Sequence, residues 1–295
     1  MTRTGATTLA AAAFACAAWS GGVAAQGALA AEAPPARAAT LYELLFGAAP
    51  GEAKRPEEAG RLDPDRPHFP EATTTVGLHR VMLESGYTYT RRDSGFTHSL
   101  PEALLRVGVL ADWFELRVGQ NFLAERRTVG GMTTTASGAQ DLYLGAKFAV
   151  SAQHGLLPAM ALIPQMTVPT GSAGVTASRV LPGLNADFSW EVIENRFGIE
   201  LLVANNLVRD DVGAHHELAT GLTGTFQLTR NLEAFAEWDA FYPTGGPGEL
   251  GPRHFAVGGF VYFVTPDLAV DIRAGVGLNK QSDDFIAGVG FAVRR

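Results

Sequence analysis

The chain has 295 residues, of which 46% are hydrophobic and only 18% charged, with 34 glycines and a formal net charge of −7. The acid excess excludes a nucleic-acid binder, which needs a basic face to neutralise phosphates. The single cysteine, Cys16, excludes an internal disulfide and a cysteine-rich zinc site.

Residues 1–30 read as a secretory signal peptide. Arg3 supplies the positive start, Leu9 to Trp19 a short apolar core, and Val23-Ala24-Ala25 or Ala28-Leu29-Ala30 a small-residue cleavage site. No later run of 18 apolar residues occurs, so a helical membrane span is not expected. Residues 31–72 are rich in proline, alanine and charge and read as a periplasmic linker, a short disordered N-terminal tail. Inside it, Leu41 to Phe46 has the content of one or two helical turns. Docking on a periplasmic partner and a transient apolar turn both fit that segment.

From Thr73 the hydrophobic period becomes two, the strand period. Val81, Leu83, Ser85, Tyr87 and Tyr89 share a face opposite Arg80, Met82, Glu84, Gly86 and Thr88. The alternation recurs over 102–109, 114–122, 142–150, 184–192, 197–206, 218–228, 233–240, 254–263, 268–279 and 285–294. In 254–263, Phe255, Val257, Val261 and Phe263 read as the apolar face, with His254 and Tyr262 opposite. Leu156 to Val168 is blurred and holds Pro158 and Pro164, and proline cannot donate to a ladder. Its place in the series makes it a strand, for about twelve in all.

A soluble sandwich and a membrane barrel share this alternation. Connection lengths separate them. Ala111-Asp112, Gln153-His154-Gly155, Glu194-Asn195-Arg196, Thr229-Arg230-Asn231 and Thr265-Pro266-Asp267 are short. Longer connections lie between them, near 126–140, 169–182, 209–216 and 244–253. Tight turns at one end and long loops at the other are the pattern of an up-and-down outer-membrane barrel. Tyr87, Tyr89, Trp113, Trp190, Trp238, Phe241 and Tyr242 lie near strand ends, as an interface girdle requires. The expected fold is all-β: a transmembrane antiparallel up-and-down β-barrel over residues 73–295, held in outer-membrane lipid.

Several stretches carry a family resemblance: Arg66-Pro67-His68-Phe69-Pro70-Glu71, Leu83 to Tyr89, Leu142 to Lys147, Thr167 to Gly171, Ala274 to Asn279 and Gly288-Val289-Gly290. Over about Leu62 to Arg295 the chain resembles the MetA-pathway of phenol degradation proteins. The resemblance implies an outer-membrane barrel, insertion by the barrel-assembly machinery, and passive uptake of small solutes, aromatic ones among them. It brings no catalytic residues and no cofactor. Barrels of this kind commonly end in an aromatic residue, whereas this chain ends in Arg295.

The opposite phase of the strands predicts the lumen lining: Glu84, Glu102, Arg106, Glu115, Arg117, Asp141, Lys147, Asp187, Glu191, Glu200, Glu237, Asp239, Asp271 and Arg273. Strand spacing and tilt give a twelve-strand barrel a backbone diameter of roughly 24 Å, and about 10 Å inside the side chains. That width fits a narrow acid-lined channel that disfavours anions, and equally a lumen braced by arginine–carboxylate pairs. A structural or adhesive barrel with a plugged lumen is the alternative function. An enzyme is not expected. His98 and Ser99 are adjacent on a strand and face opposite sides. His215-His216-Glu217 lacks the second histidine of a zinc-protease motif. No metal-ligand spacing is present.

Overall fold

In a computed structural model, residues 40–47, 60–210, 213–245 and 250–295 are described. The expected signal peptide lies outside them. Leu41–Phe46 forms α1, capped by Thr40, whose Oγ1 accepts from Glu43 N at 3.2 Å.

The rest of the regular structure is strand. Around the first half run β1 (Val81–Arg92), β2 (Gly95–Ser99), β3 (Ala103–Gly108), β4 (Phe114–Gln120), β5 (Phe122–Val129), β6 (Met132–Ala139) and β7 (Leu142–Ser151). The second half has β8 (Ala159–Val168), β9 (Leu181–Ile193), β10 (Phe197–Asp210), β11 (Gly213–Gln227), β12 (Leu232–Thr244), β13 (Arg253–Thr265), β14 (Leu268–Gly277) and β15 (Phe285–Arg294). All pairings are antiparallel, and β15 pairs back onto β1 from Met82↔Arg294 to Arg91↔Phe285, closing the sheet. Three pairs of segments are collinear: β2 with β3, β4 with β5, and β6 with β7. The wall is therefore a barrel of twelve strands.

Burial alternates along most wall strands. Leu116, Ile272 and Val289 are exposed, while Glu115, Asp271 and Gly288 beside them are buried. A closed sheet has one inside, so the exposed apolar phase is the outer wall. Such a wall needs lipid, and closure leaves the sheet no free edge, so wall backbone groups pair within it. Ile272→Arg is therefore expected to cost about 2–4 kcal/mol of folding free energy in bilayers. Denaturant titration in vesicles checks this, and a cost near zero would place Ile272 outside the lipid belt.

Four expectations change. First, 126–140 is not a loop. The β5–β6 hairpin runs through it and turns at Gly130 and Gly131, with φ of +59° and +80°. Two adjacent residues of positive φ make the tight hairpin turn that matches strand twist. The segment is polar on both faces because it stands beyond the lipid belt, which hid the alternation. Similarly, β10 and β11 continue to Asp210 and Gly213.

Second, the two faces of β13 are exchanged. Phe255, Val261 and Phe263 point inward and are buried, while Phe260 and Tyr262 are exposed. Both faces of this strand are apolar, so alternation could not choose. The inner one packs in a cluster with Leu62, Val76, Met82, Ala269 and Ala292. Third, Phe241 leaves the proposed girdle. Its ring faces inward, 5.0 Å from that of Phe69. Fourth, the first strand starts at Val81, and residues 61–72, read as part of the linker, lie against lumen side chains.

The doubtful strand is β8. Pro164 pairs with Leu184 of β9, and the β7–β8 ladder is interrupted between Gly145↔Gln165 and Phe148↔Leu162. The missing N–H thus falls in a gap of the ladder.

Candidate functional site

The site is the lumen, and its occupant is the chain's own segment 61–78. This segment enters at the short-turn end, where Leu62 N donates to Pro266 O at 2.7 Å. It leaves at the same end, where Leu78 N donates to Asp112 Oδ1 at 3.0 Å and Thr75 Oγ1 donates to Asp112 O. Between them it is irregular, so its N–H groups find no ladder. Irregular backbone inside a barrel must be satisfied by the surrounding protein.

Wall carboxylates do this. Glu84 accepts from Asp65 N at 3.1 Å and Arg66 N at 2.9 Å. Glu237 accepts from Phe69 N at 2.8 Å, Asp187 from Glu71 N at 2.9 Å, and Glu115 from Val76 N at 2.8 Å. The acid excess of the inner wall therefore has a structural use. It supplies acceptors to a loop that lacks them.

Cations bind the layer together. Arg106 is fully buried and reaches Glu115 at 2.8 Å, Glu84 at 3.0 Å and Asp65 at 3.2 Å. Arg117 holds Asp65 and Glu71, each at 2.8 Å. Lys147 Nζ meets Asp65 at 2.7 Å and donates to Ala72 O at 2.7 Å. Burial raises the pKa of an acid, yet Arg106, Arg117 and Lys147 hold Asp65 far below the usual carboxylate range. From the other side, Arg66 pairs with Glu102 at 2.8 Å and Asp271 at 3.4 Å. Arg273 donates to Pro67 O at 2.8 Å and Thr88 Oγ1 at 3.0 Å.

The wall makes room with glycine. The Arg66 guanidinium lies against Gly86 and Gly290, where a side chain would overlap it. A Cβ at Gly221 would stand 2.8 Å from Phe69 Cδ1. Inward glycines are thus the imprint of the loop on the wall sequence.

Twelve of the fourteen expected lining residues come together around this loop: Glu84, Glu102, Arg106, Glu115, Arg117, Lys147, Asp187, Glu200, Glu237, Asp239, Asp271 and Arg273. Two do not. Asp141 lies at the long-loop end, where its carboxylate accepts from Gly171 N and Ala177 N, both at 2.9 Å. Glu191 is exposed at a short turn and accepts from Asn195 N at 2.7 Å. Sequence reasoning missed Asp65, Arg66, His68, Phe69 and Glu71. Proline-rich composition masked them, although the run 66–71 already stood among the family motifs.

His68 sits beneath the loop apex. Its Nδ1 is 3.1 Å from Glu200, and its ring packs edge-on against Phe235 with centroids 4.5 Å apart. Burial lowers its pKa, but Glu200, helped by Glu237 and Glu233, pushes it up to about 9. A raised folded-state value means that the stabilisation is complete below the unfolded value of about 6.5. It is lost as pH climbs through about 9. Amide exchange in 65–70, corrected for intrinsic rates, is expected to accelerate across that window, and Glu200→Gln is expected to move the acceleration toward neutral pH. Identical profiles for the two proteins would contradict this.

Two cavities open above the loop, toward the long-loop end. One of about 610 Å³ is lined by Arg92, Arg127, Arg253 and Glu217, among others. The other, of about 590 Å³, reaches down to Glu71 and Arg117. Beside His68 and Arg61 lies a cavity of about 80 Å³, large enough to hold water.

The sequence pattern of the MetA-pathway of phenol degradation family matches residues 64–294. The chain belongs to this family. Within the match fall the loop from Pro64 onward and the wall that holds it. Among solved structures, the COG4313 outer membrane channel from Pseudomonas putida F1 aligns with a TM-score of 0.61 at 12% identity, over 77% of this chain and 99% of that one. The translocator domain of autotransporter NalP from Neisseria meningitidis aligns at 0.47 and 12% identity, over 74% and 88%. The NanC porin aligns at 0.46 and 9% identity, over 72% and 98%. Among curated proteins none matches. The first of these likenesses shows the shared barrel fold, independently of the family match.

Proposed function

We propose that this protein is an outer-membrane channel for passive uptake of small solutes, closed at rest by its own loop 61–78. The observation that carries this reading is the form of the closure. The lumen is filled by a separate loop anchored at one end of the barrel, not by side chains of the wall. Such a loop can leave without breaking a single wall pairing. Solute entering from the long-loop end meets open cavities first and the loop last. Moving the loop leaves the wall's own charges along the path, more acids than bases, which favours cations and neutral solutes over anions. The reading needs no enzyme activity.

Liposome swelling tests the reading. Vesicles holding a variant that lacks residues 62–76 are expected to swell in isosmotic solutions of small sugars, and vesicles holding the wild type to swell far more slowly. Folded variant without swelling would favour a structural or adhesive barrel.

A further inference from the structure

The 590 Å³ cavity above the loop has a polar lining that is already oriented and only partly used. Gln165 Nε2 spends its hydrogens on Asn185 Oδ1 and Asn206 Oδ1, both at 3.0 Å. Those bonds fix both amides, leaving Gln165 Oε1 and Asn206 Nδ2 for another partner. Asn121 Nδ2 donates to Ser99 Oγ at 2.6 Å and Gln140 Oε1 at 2.7 Å, which leaves Gln140 Nε2 in the same way. Lower down, the Tyr143 hydroxyl and the guanidinium of Arg117, itself only 2% exposed, meet at the floor of the cavity.

Tyr143 lies in a slot cut by glycines. A Cβ at Gly119 would stand 3.2 Å from its ring, and one at Gly145 would stand 2.7 Å from its hydroxyl. Leu104 and Val208 add apolar surface.

The charges at the floor and side of this lining are already engaged, and one cation, Arg209, stands at its rim. Arg117 is held by Asp65 and Glu71. Asp141 is capped by two backbone N–H groups. Arg209, at the rim, donates to Ala177 O at 2.7 Å. An anion would face Glu71 and Asp141, and a cation would have to take Glu71 from Arg117. Carboxamides that offer both donors and an acceptor suit hydroxyl groups, which do both. Small pockets with a few convergent polar groups on an apolar background are typical ligand sites.

We propose that this cavity binds an uncharged, polyhydroxylated small molecule on its way into the lumen. The proposal rests on the channel reading only for the route by which the solute arrives. Binding can be measured without a membrane, so the two stand or fall separately.

The experiment is saturation-transfer NMR and calorimetry on the full folded chain in detergent micelles. The probes are glucose, glucuronate and glucosamine, three molecules of one frame and different charge. Glucose is expected to bind saturably, and the charged pair at least about tenfold more weakly, a difference of about 1.4 kcal/mol. Asn206→Leu is expected to weaken glucose binding at least about tenfold by removing a donor. Tyr143→Phe keeps the ring and the fold and is expected to weaken it by a smaller factor. Absence of saturable glucose binding, equal binding of glucuronate, or unchanged binding in both variants would overturn the proposal.

Discussion

Arg106→Leu is expected to cost about 3–5 kcal/mol of folding stability, because it leaves buried charges without their partner. Arg106 has no exposed surface. Its Nε and Nη2 hold Glu115 at 2.8 and 3.1 Å, and its Nη1 holds Glu84 at 3.0 Å. It also donates to the loop carbonyls of Asp63 at 3.2 Å and Thr74 at 3.1 Å. Without it, Asp65 keeps Arg117 and Lys147, Glu115 keeps Arg117, and Glu84 is left with the backbone N–H groups of Asp65 and Arg66. Arg106→Lys is expected to recover little, since a single ammonium cannot replace a planar fork that faces several acceptors at once. Denaturant titration in vesicles gives the stability, and amide exchange over 62–76 reports the loop. An Arg106→Leu protein with wild-type stability and exchange would show that this layer does not hold the loop.

Gly86→Leu attacks the same loop through shape alone. Arg66 lies against Gly86 and Gly290, so a leucine there must displace the guanidinium from Glu102 and Asp271. Overpacking of this kind costs about 1–3 kcal/mol, and lost ion pairs add to it. Leucine is acceptable in a strand, and the β1–β15 pairing at Gly86↔Gly290 uses backbone only. The expected result is a folded barrel whose segment 62–71 exchanges at least about tenfold faster, the equivalent of about 1.4 kcal/mol. Leu83→Ala on the outer face of the same strand is the control and should leave that segment protected. Equal protection in Gly86→Leu and wild type would mean that Arg66 does not anchor the loop.

The barrel was legible because its signal repeats. Most wall strands bury one phase and expose the other, and in ten of the eleven alternating stretches the apolar phase faces outward as the pattern predicts. The stretch 254–263 failed for a physical reason: Phe255, Val261 and Phe263 line an apolar part of the lumen, so both phases are apolar. The hairpin at Gly130-Gly131 was missed because strands beyond the lipid need no apolar face. The loop was hidden for a different reason. A proline-rich segment has no period, and many of its partners lie more than a hundred residues away, as Phe69 does from Glu237 and Arg66 from Asp271. Two traces of it were nevertheless present in the wall: more acids than bases on the inner phase, and inward glycines such as Gly86, Gly221 and Gly290. The acids fit a channel lining and bracing pairs equally well from sequence. Both traces are the complement of a loop.

Single-channel current in planar bilayers tests the central claim most directly, comparing the wild type with the variant that lacks residues 62–76. Closure by the loop predicts that the wild type is silent or opens only briefly, while the variant carries long, uniform current steps with cations favoured over anions. Equal conductance in the two proteins, or a correctly folded variant that carries no current, would contradict it.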